Sequence, residues 1–564
     1  MSNLTKWESS QNPTFRSKFA EDIFHQKYRH EGCETWADLA RTLVEDVCRE
    51  FLKRDEKDAL VHYITDLKFI PGGRYLYYAG RNKKFFNNCF LLKAEEDTRE
   101  DWADLSKRSE LCLSSGGGIG VDYSVYRCSG SILHSTGGVA SGPIAKMQMI
   151  NEIGRSVMQG GSRRSAIYAS LSCDHNDVWE FMHTKDWYKM PVAGTDKTLG
   201  DLKEADFNFH CPLDMTNISV NYNTAWLLNY WKTGEVGEIF LENIKSALST
   251  GEPGFSFNFF DKENETLRNA CTEVCSEDDS DVCNLGSLNL GRISSISELA
   301  DITRLATMFL LAGTIVAQLP YKKVGCIRRK NRRLGLGLMG LHEWLVKRNY
   351  RYEVTPEMHR WLATYKSVSD GTSKQFADKL GISRPVANRA IAPTGSIGIL
   401  AGTSTGIEPI FAVAYKRRYL KGKRWHYQYV IDSAAQELVD QYEVNPDRVE
   451  SSLELASDYE RRIKFQADIQ DYVDMSISST INLPRWGSDL NNESHVEAFA
   501  NTLASYAHRL RGFTVYPDGA RGGQPLVPVS YSEAKNKLGE VFEEDGVMTH
   551  DICVIGKGGE SCGS

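Results

Sequence analysis

The sequence is short of long apolar runs. The most membrane-like stretch, LATMFLLAGTIVAQLP at 305–320, falls below the roughly 18 apolar residues of a spanning helix and reads as a buried helix. The N-terminus, MSNLTKWESSQNPTF, lacks both a basic segment leading into an apolar one and an Arg-rich amphipathic pattern, which predicts a cytoplasmic location and no membrane partner. There is little net charge: −7 over 564 residues argues against a surface devoted to nucleic acid, while leaving room for a local basic patch that holds a smaller anion. Cysteines are too sparse for a disulfide framework, and their number, 13, is odd, so most are expected as thiols. Cys271 and Cys275 have no second close pair to complete a zinc tetrahedron, so no metal site is expected. Low-complexity tracts and internal repeats are also missing. With 41% hydrophobic and 25% charged residues, what remains is a globular chain of enzyme size.

Within those bounds, EDIFHQKY and WADLARTLVEDVCREFLK carry apolar residues at three- and four-residue intervals, which predicts an N-terminal helical module over 1–68. From FIPGGRYLYYAG onward, short apolar runs alternate with Gly-rich turns and helical patterns through about residue 525, as in α/β layering. The last stretch, EEDGVMTHDICVIGKGGESCGS, loses apolar periodicity and is expected to be a flexible tail that carries Cys553 and Cys562.

Four segments invite chemistry. GLGLMG at 335–340 fits G-x-G-x-x-G, but the basic CIRRKNRRL stands where a dinucleotide fold needs a buried strand, so glycines that let a helix pack closely are the plainer reading. AYKRRYLKGKRWHYQY at 414–429 is either a solvated face or a grip on phosphates or nucleic acid by charge and stacking. APTGSIGILAGTSTGIEP at 392–409 has no G-K-[ST], yet its density of Gly, Ser and Thr can turn backbone N–H groups toward a phosphate, or form an ordinary polar loop. In RNACTEVCSEDDSDVCNLGSLNL at 268–290, Asn269, Cys271 and Glu273 alternate. An extended stretch would point an amide, a thiol and a carboxylate to one side. A buried thiol with chance neighbours is the alternative.

Taken in order, these motifs resemble ribonucleotide reductases, and most closely the adenosylcobalamin-dependent class II enzymes of the kind phages carry. The likeness runs from about residue 15 to the end. NACTE resembles the family's N-x-C-x-E loop, NNCF (87–90) its first redox cysteine and CNLGSLNL (283–290) its second. STGGVASGP (135–143) and MQGGSRRSA (158–166) are similar to the loops that couple effector to substrate, and PTGSIGILAGTSTGIEP to the substrate phosphate loop. The resemblance implies a ten-stranded α/β barrel over 69–525, made of two five-stranded halves in opposite senses, with a C-terminal segment at 526–564. It implies that Cys271 carries a thiyl radical, that Glu273 is the base for the 3′ hydroxyl, and that Asn269 bonds the sugar. Cys89 and Cys283 would supply the reducing equivalents, and Cys553 and Cys562 would pass electrons to them from a thioredoxin- or glutaredoxin-like reductant. Asn88, Ser115 and Gly116, with Pro393, Thr394, Gly395, Ser396 and Ile397 of the phosphate loop, would bind the ribonucleotide. Gly138, Ser141, Gly142, Gly161, Arg163 and Arg164 would lie on loops answering a deoxynucleotide effector. The cofactor implied is adenosylcobalamin, the assembly a monomer or homodimer, and the compartment the cytoplasm, the host's if the chain is phage-encoded.

The radical source separates the classes. Class I large subunits use adjacent tyrosines near the C-terminus, whereas here the only Tyr-Tyr is Tyr77–Tyr78 and Tyr506, Tyr516 and Tyr531 stand apart. FTVYPDGARGGQPL occupies that place, as in class II. The class III glycyl-radical motif and four-cysteine zinc site have no match. Ala270 and Thr272 depart from the usual N-P-C-G-E, and eight residues separate Cys553 from Cys562 where C-x-x-C is usual. An N-terminal nucleotide-binding cone has no match, so shutdown by dATP is not expected. The alternatives are a class I-like large subunit that needs a radical-generating partner, and a nucleotide-binding protein without turnover.

Overall fold

The computed structural model describes residues 14–134, 137–157, 165–206, 209–421, 424–520 and 526–543. At the N-terminal end, helices span Lys18–Ile23, Trp36–Cys48 and Arg54–Thr65. The second is opened by a Thr35–Asp38 capping box, and its three- and four-residue apolar spacing buries Trp36, Leu39, Ala40, Leu43, Val44 and Val47 on one face. That face packs on the helix Ile296–Val316, in which the apolar run at 305–320 is extended backward from an N-cap at Ser295. By length and composition this helix could cross a membrane, but 72% of its apolar window is buried inside the protein.

The strands are β1 (Phe69–Pro71), β2 (Cys89–Lys93), β3 (Gly118–Asp122), β4 (Ile167–Ser172), β5 (Thr216–Tyr222), β6 (Gly254–Phe257), β7 (Leu267–Arg268) and β8 (Cys275–Ser276). They continue with β9 (Asp281–Asn289), β10 (Leu334–Met339), β11 (Ala414–Lys421), β12 (Arg424–Ile431), β13 (Thr480–Leu483), β14 (Gly512–Pro517), β15 (Leu526–Pro528) and β16 (Val541–Glu543). From β2 to β6 every neighbour is parallel, giving one half of an α/β barrel. In the other half β9 and β10 are parallel, as are β13 and β14, and bridges Leu336–Arg389 and Ile391–Ile477 carry the ring through residues 389–391. The halves meet in opposite senses at β2/β9 and β6/β14. Among the described residues the main sheet has ten strands including β1, which is added along the outer part of β9; the ring itself is closed by the other nine and the bridged segment 389–391. This is the expected barrel, with two five-stranded halves.

Period-two patterning explains its two faces. On β3, β5 and β6, Ile119, Val121, Ile218, Val220, Phe255 and Phe257 point outward into a core covered by helices that include Arg99–Ser114, Gly142–Ser156 and Glu238–Thr250. The alternate positions, Gly118, Gly120, Asn217, Ser219, Asn221, Gly254 and Ser256, are glycine or small and polar. They line the inside, where the chain between β6 and β9 enters as a finger based on the β7/β8 pair.

Two readings of the sequence change. GLGLMG is not a helix contact but β10: a Cβ at Gly335 would lie 3.0 Å from Cys283 Sγ, and one at Gly337 would lie 2.6 Å from Ala390 O. AYKRRYLK and RWHYQY lie on the antiparallel strands β11 and β12, flanked by β15 and β16, with Ala414 and Ile431 packed on Ala534. They are therefore partly packed as well as solvated.

A Cβ on Gly120 would overlap the carbonyl oxygen of Arg268 in the finger. Gly120→Ala is expected to destabilise the chain by about 1–3 kcal/mol, read by thermal unfolding. A variant with unchanged melting would contradict this packing.

Candidate active site

The finger is held at its root by Arg268, a fully buried guanidinium that donates to Asn258 Oδ1 at 2.6 Å, to Arg511 O at 3.1 Å and to the carbonyl of Glu265. Its tip is a turn. Thr272 N donates to Asn269 O at 2.9 Å, and Thr272 sits at φ +67, in the left-handed region. The extended alternation expected for Asn269, Cys271 and Glu273 is therefore corrected: a turn, closed by its own hydrogen bond, brings the first and last of them onto one thiol. Asn269 Nδ2 lies 2.9 Å from Cys89 Sγ, and Cys89 Sγ lies 3.9 Å from Glu273 Oε1. Asn269 Oδ1 also accepts from Val274 N at 2.9 Å, so one side chain spans the turn.

Glu273 is buried, and its Oε2 has no partner among the described residues. Burial pushes its carboxyl up to about 7, against the opposing hydrogen bonds from Asn269 and Cys89. Cys89 and Cys283 face each other in register across β2/β9. Opposed residues of an antiparallel pair have α-carbons about 4.5–5.5 Å apart, inside the roughly 4.4–6.8 Å of a disulfide. Both are free thiols, and burial pushes both well above the ordinary thiol range. Cys271 stands close enough to add to the upward push on Cys89, and it is half-exposed where the other two are buried.

Other candidates fall into groups. Asn88 precedes β2, with its Oδ1 buried and unpartnered among the described residues. Ser115 and Gly116 end the helix before β3, and the Arg74 guanidinium donates to Ser115 O and fills the space a Cβ at Gly116 would need. Thr394, at φ +52, accepts from Gly406 N at 2.8 Å and opens the helix Gly395–Ala401, whose first internal bond is Gly398 N to Thr394 O. The N–H groups of Gly395, Ser396 and Ile397, after Pro393, thus have no acceptor within the helix. Gly138 accepts from Leu133 N at 3.0 Å, Ser141 is the N-cap of the helix Gly142–Ser156, and Gly142 lies against Ser129 and Asp177. The 15 residues of that helix span about 22 Å, and the segment after it returns to β3, where Ile119 N donates to Ala166 O. Gly161, Arg163, Arg164, Cys553 and Cys562 lie outside the described residues. Sequence reasoning missed Arg74 and Arg268. Arg74 reaches Ser115, and Arg268 reaches Asn258 and Arg511, partners that the local sequence does not announce.

Two opposed thiols, a third at a loop tip and a carboxylate titrating near neutrality are thus gathered in one α/β barrel. The chain belongs to the ribonucleotide reductase family: residues 87–193, 215–366 and 383–516 match the family model described as ribonucleotide reductase, barrel domain. It is 27% identical to a vitamin B12-dependent ribonucleoside-diphosphate reductase of Mycobacterium tuberculosis over 85% of this chain and 73% of that one. It is 28% identical to the protein so described in Thermoplasma acidophilum over 89% and 71%. With a protein of Mycobacterium phage D29, described as a putative adenosylcobalamin-dependent ribonucleoside-triphosphate reductase, identity is 27% over 63% and 56%. The alpha subunit of a class Id ribonucleotide reductase from Actinobacillus ureae shares the fold, with a TM-score of 0.68 at 16% identity, covering 89% of this chain and 97% of that one.

Because the folded carboxyl of Glu273 titrates near 7 and an unfolded glutamate near 4.3, the folded state keeps a proton that the unfolded chain releases between those values. Stability therefore falls as pH rises through that window, by about 4 kcal/mol in all. Glu273→Gln is expected to melt like the parent at pH 4 and higher than the parent at pH 8. Equal melting at both values would show that the carboxyl is not held protonated.

Proposed function

We propose that this chain reduces ribonucleotides to 2′-deoxyribonucleotides by thiyl-radical chemistry, with adenosylcobalamin as the radical source. The observation that carries the reading is Glu273, raised to about 7 by burial, with one oxygen on the Cys89 thiol and the other without a partner among the described residues. Relatives described as B12-dependent span 85% and 89% of the chain, which favours this reading over a subunit that waits for a partner's radical.

The reaction must replace a 2′ hydroxyl, a poor leaving group on a saturated ring, and general acid–base help lowers such a barrier by only about 10²- to 10⁴-fold. A radical at the neighbouring carbon changes which bond has to break. The half-exposed tip residues Cys271 and Thr272 fit a group approaching from outside, as the buried pair does not. Adenosylcobalamin held there would supply the radical chemistry that turns the Cys271 thiol into a thiyl. Cys271 then removes the 3′ hydrogen of the ribose, while Glu273 accepts the 3′ hydroxyl proton. The 2′ hydroxyl leaves as water, protonated from the Cys89/Cys283 pair. Those two thiols give up two electrons and two protons in all and close as a disulfide, Glu273 returns its proton, and Cys271 returns the 3′ hydrogen.

Around this centre, Asn269 holds the turn and bonds the sugar, with Asn88, Ser115 and Gly116 beside it. Pro393–Ile397 receive the substrate phosphates through the open N–H groups. Deoxynucleotides at the loops that include Gly138, Ser141, Gly142, Gly161, Arg163 and Arg164 select which base is reduced. Cys553 and Cys562 return electrons from a thioredoxin- or glutaredoxin-like protein.

Cys271→Ser is expected to abolish turnover, since a serine O–H is too strong a bond to relay the radical. Glu273→Gln should keep nucleotide binding, slow turnover by about 10²- to 10⁴-fold, and lose the limb of the pH profile that rises toward about 7 in the parent. Normal turnover by Cys271→Ser would end the thiyl reading. For the tail, Cys553→Ser/Cys562→Ser should give about one product per chain when thioredoxin is the only reductant, and many turnovers with dithiothreitol, which diffuses to the disulfide. Unimpaired thioredoxin-driven turnover would remove the tail from the electron path.

A further inference from the structure

The helix Gly395–Ala401 is gripped at the end away from Thr394 by residues remote in sequence. Arg16, in the first described turn of the chain, donates to Gly402 O at 2.6 Å, and Arg292 donates to Ala401 O at 3.3 Å. Both guanidinium groups meet the carbonyl end of the helix, where positive charge is favoured. Gly402 is at φ +62, and a Cβ there would lie 2.9 Å from Arg16 Cβ and Cδ, so glycine lets the N-terminal arm lie directly on the helix end.

What fixes Arg16 is a single buried carboxylate. Its fork donates to both oxygens of Glu343, at 2.8 and 3.0 Å, and it also pairs with Glu437. Glu343 further receives Lys347 Nζ at 2.8 Å and Thr403 Oγ1 at 2.6 Å. Burial works to raise the carboxyl of Glu343, but Arg16 and Lys347 hold it down to about 2. Thr403 directly follows the helix, so Glu343 ties together the N-terminal arm, the helix Leu341–Lys347 and the exit of the phosphate loop. At the other end, Gly406 N on Thr394 Oγ1 closes the loop on itself.

We propose that Arg16 is a positioning residue for the substrate phosphates: by clamping the carbonyl end of Gly395–Ala401 to Glu343, it keeps the open N–H groups of Gly395, Ser396 and Ile397 aimed at the phosphate. The inference rests on the reading of Pro393–Ile397 as the phosphate loop. Because coupling between sites is reciprocal, phosphate binding must in turn tighten the arm at residues 14–23.

The test uses the full chain with Arg16→Gln and Arg16→Lys. In Arg16→Gln, KM for a ribonucleoside diphosphate should rise about tenfold while kcat at saturation stays within about twofold and the Kd of a deoxynucleoside triphosphate effector is unchanged. Arg16→Lys keeps the charge without the fork and should recover part of the loss. In the parent, the diphosphate should slow amide exchange across residues 14–23, and in Arg16→Gln it should not. A merely structural role would lower stability and kcat together, leaving KM and the exchange response alone, and that result overturns the proposal. If Arg16→Gln does not fold, Arg16→Lys and the exchange measurement on the parent decide it. A parent that neither binds nor reduces ribonucleotides would overturn the functional reading and this inference with it. A parent that does both, beside variants with unmoved KM, would overturn the clamp alone.

Discussion

The two halves of the barrel run in opposite senses, and the site depends on the two seams this creates. Within each half the strands are parallel. Only at β2/β9 and β6/β14 do they meet antiparallel, and there residues sit directly opposite one another with a spacing that suits a disulfide. The first seam places Cys89 against Cys283. The second supports the finger that delivers Cys271 and Glu273: Arg268 donates to Arg511 O, Phe257 N donates to the same carbonyl, and Arg511 pairs with Glu265 at 2.8 Å. One seam sets the dithiol and the other sets what is aimed at it.

Filling the barrel with a loop has a cost in free energy, because a loop brings polar backbone inside. The inner face meets it with small residues and paired charges. Asp281 accepts from Arg333, Asn331 and Ser276, and Arg108 meets Asp279 two residues earlier. Removing one partner of such a buried pair costs about 3–5 kcal/mol, whereas keeping both adds little net stability, so these pairs serve chiefly to hold the finger in one register. Glu273 is the exception that is left unbalanced. The apolar helical layers outside the barrel sustain that imbalance.

The parts of the fold carried by local periodicity were legible in the sequence. Trp36, Leu39, Leu43 and Val47 announced their helix because a repeat of three and four needs no partner to be read. The motif around Cys271 was legible as a set of residue types, but its geometry was not. An alternating pattern fits a strand, and nothing in NACTE shows that Thr272 turns left-handed and closes the loop on Asn269. GLGLMG misled for a related reason. Its glycines answer to Cys283 and Ala390, some 50 residues away in either direction, and only the closed barrel shows that contact. Arg16, Arg74 and Arg268 are invisible for the same reason, since each takes its role from a carbonyl or carboxylate supplied by a distant segment.

The burial that suits the Cys89/Cys283 pair to the proposed chemistry also isolates it. Thiols pushed well above their ordinary range stay protonated, which is the form that can protonate a departing hydroxyl. Once they are joined as a disulfide, the same shift makes each sulfur a poor leaving group, because a thiol of high pKa departs slowly in exchange. The walls that raise the pKa also keep an attacking protein out. A donor surface therefore cannot regenerate the site by docking alone. The attacking thiolate must come on something narrow enough to enter the barrel and ionised enough to attack there, and this requirement follows from the placement of Cys89 and Cys283 alone. Cys271, half-exposed at the tip of the finger, is not shut in by those walls.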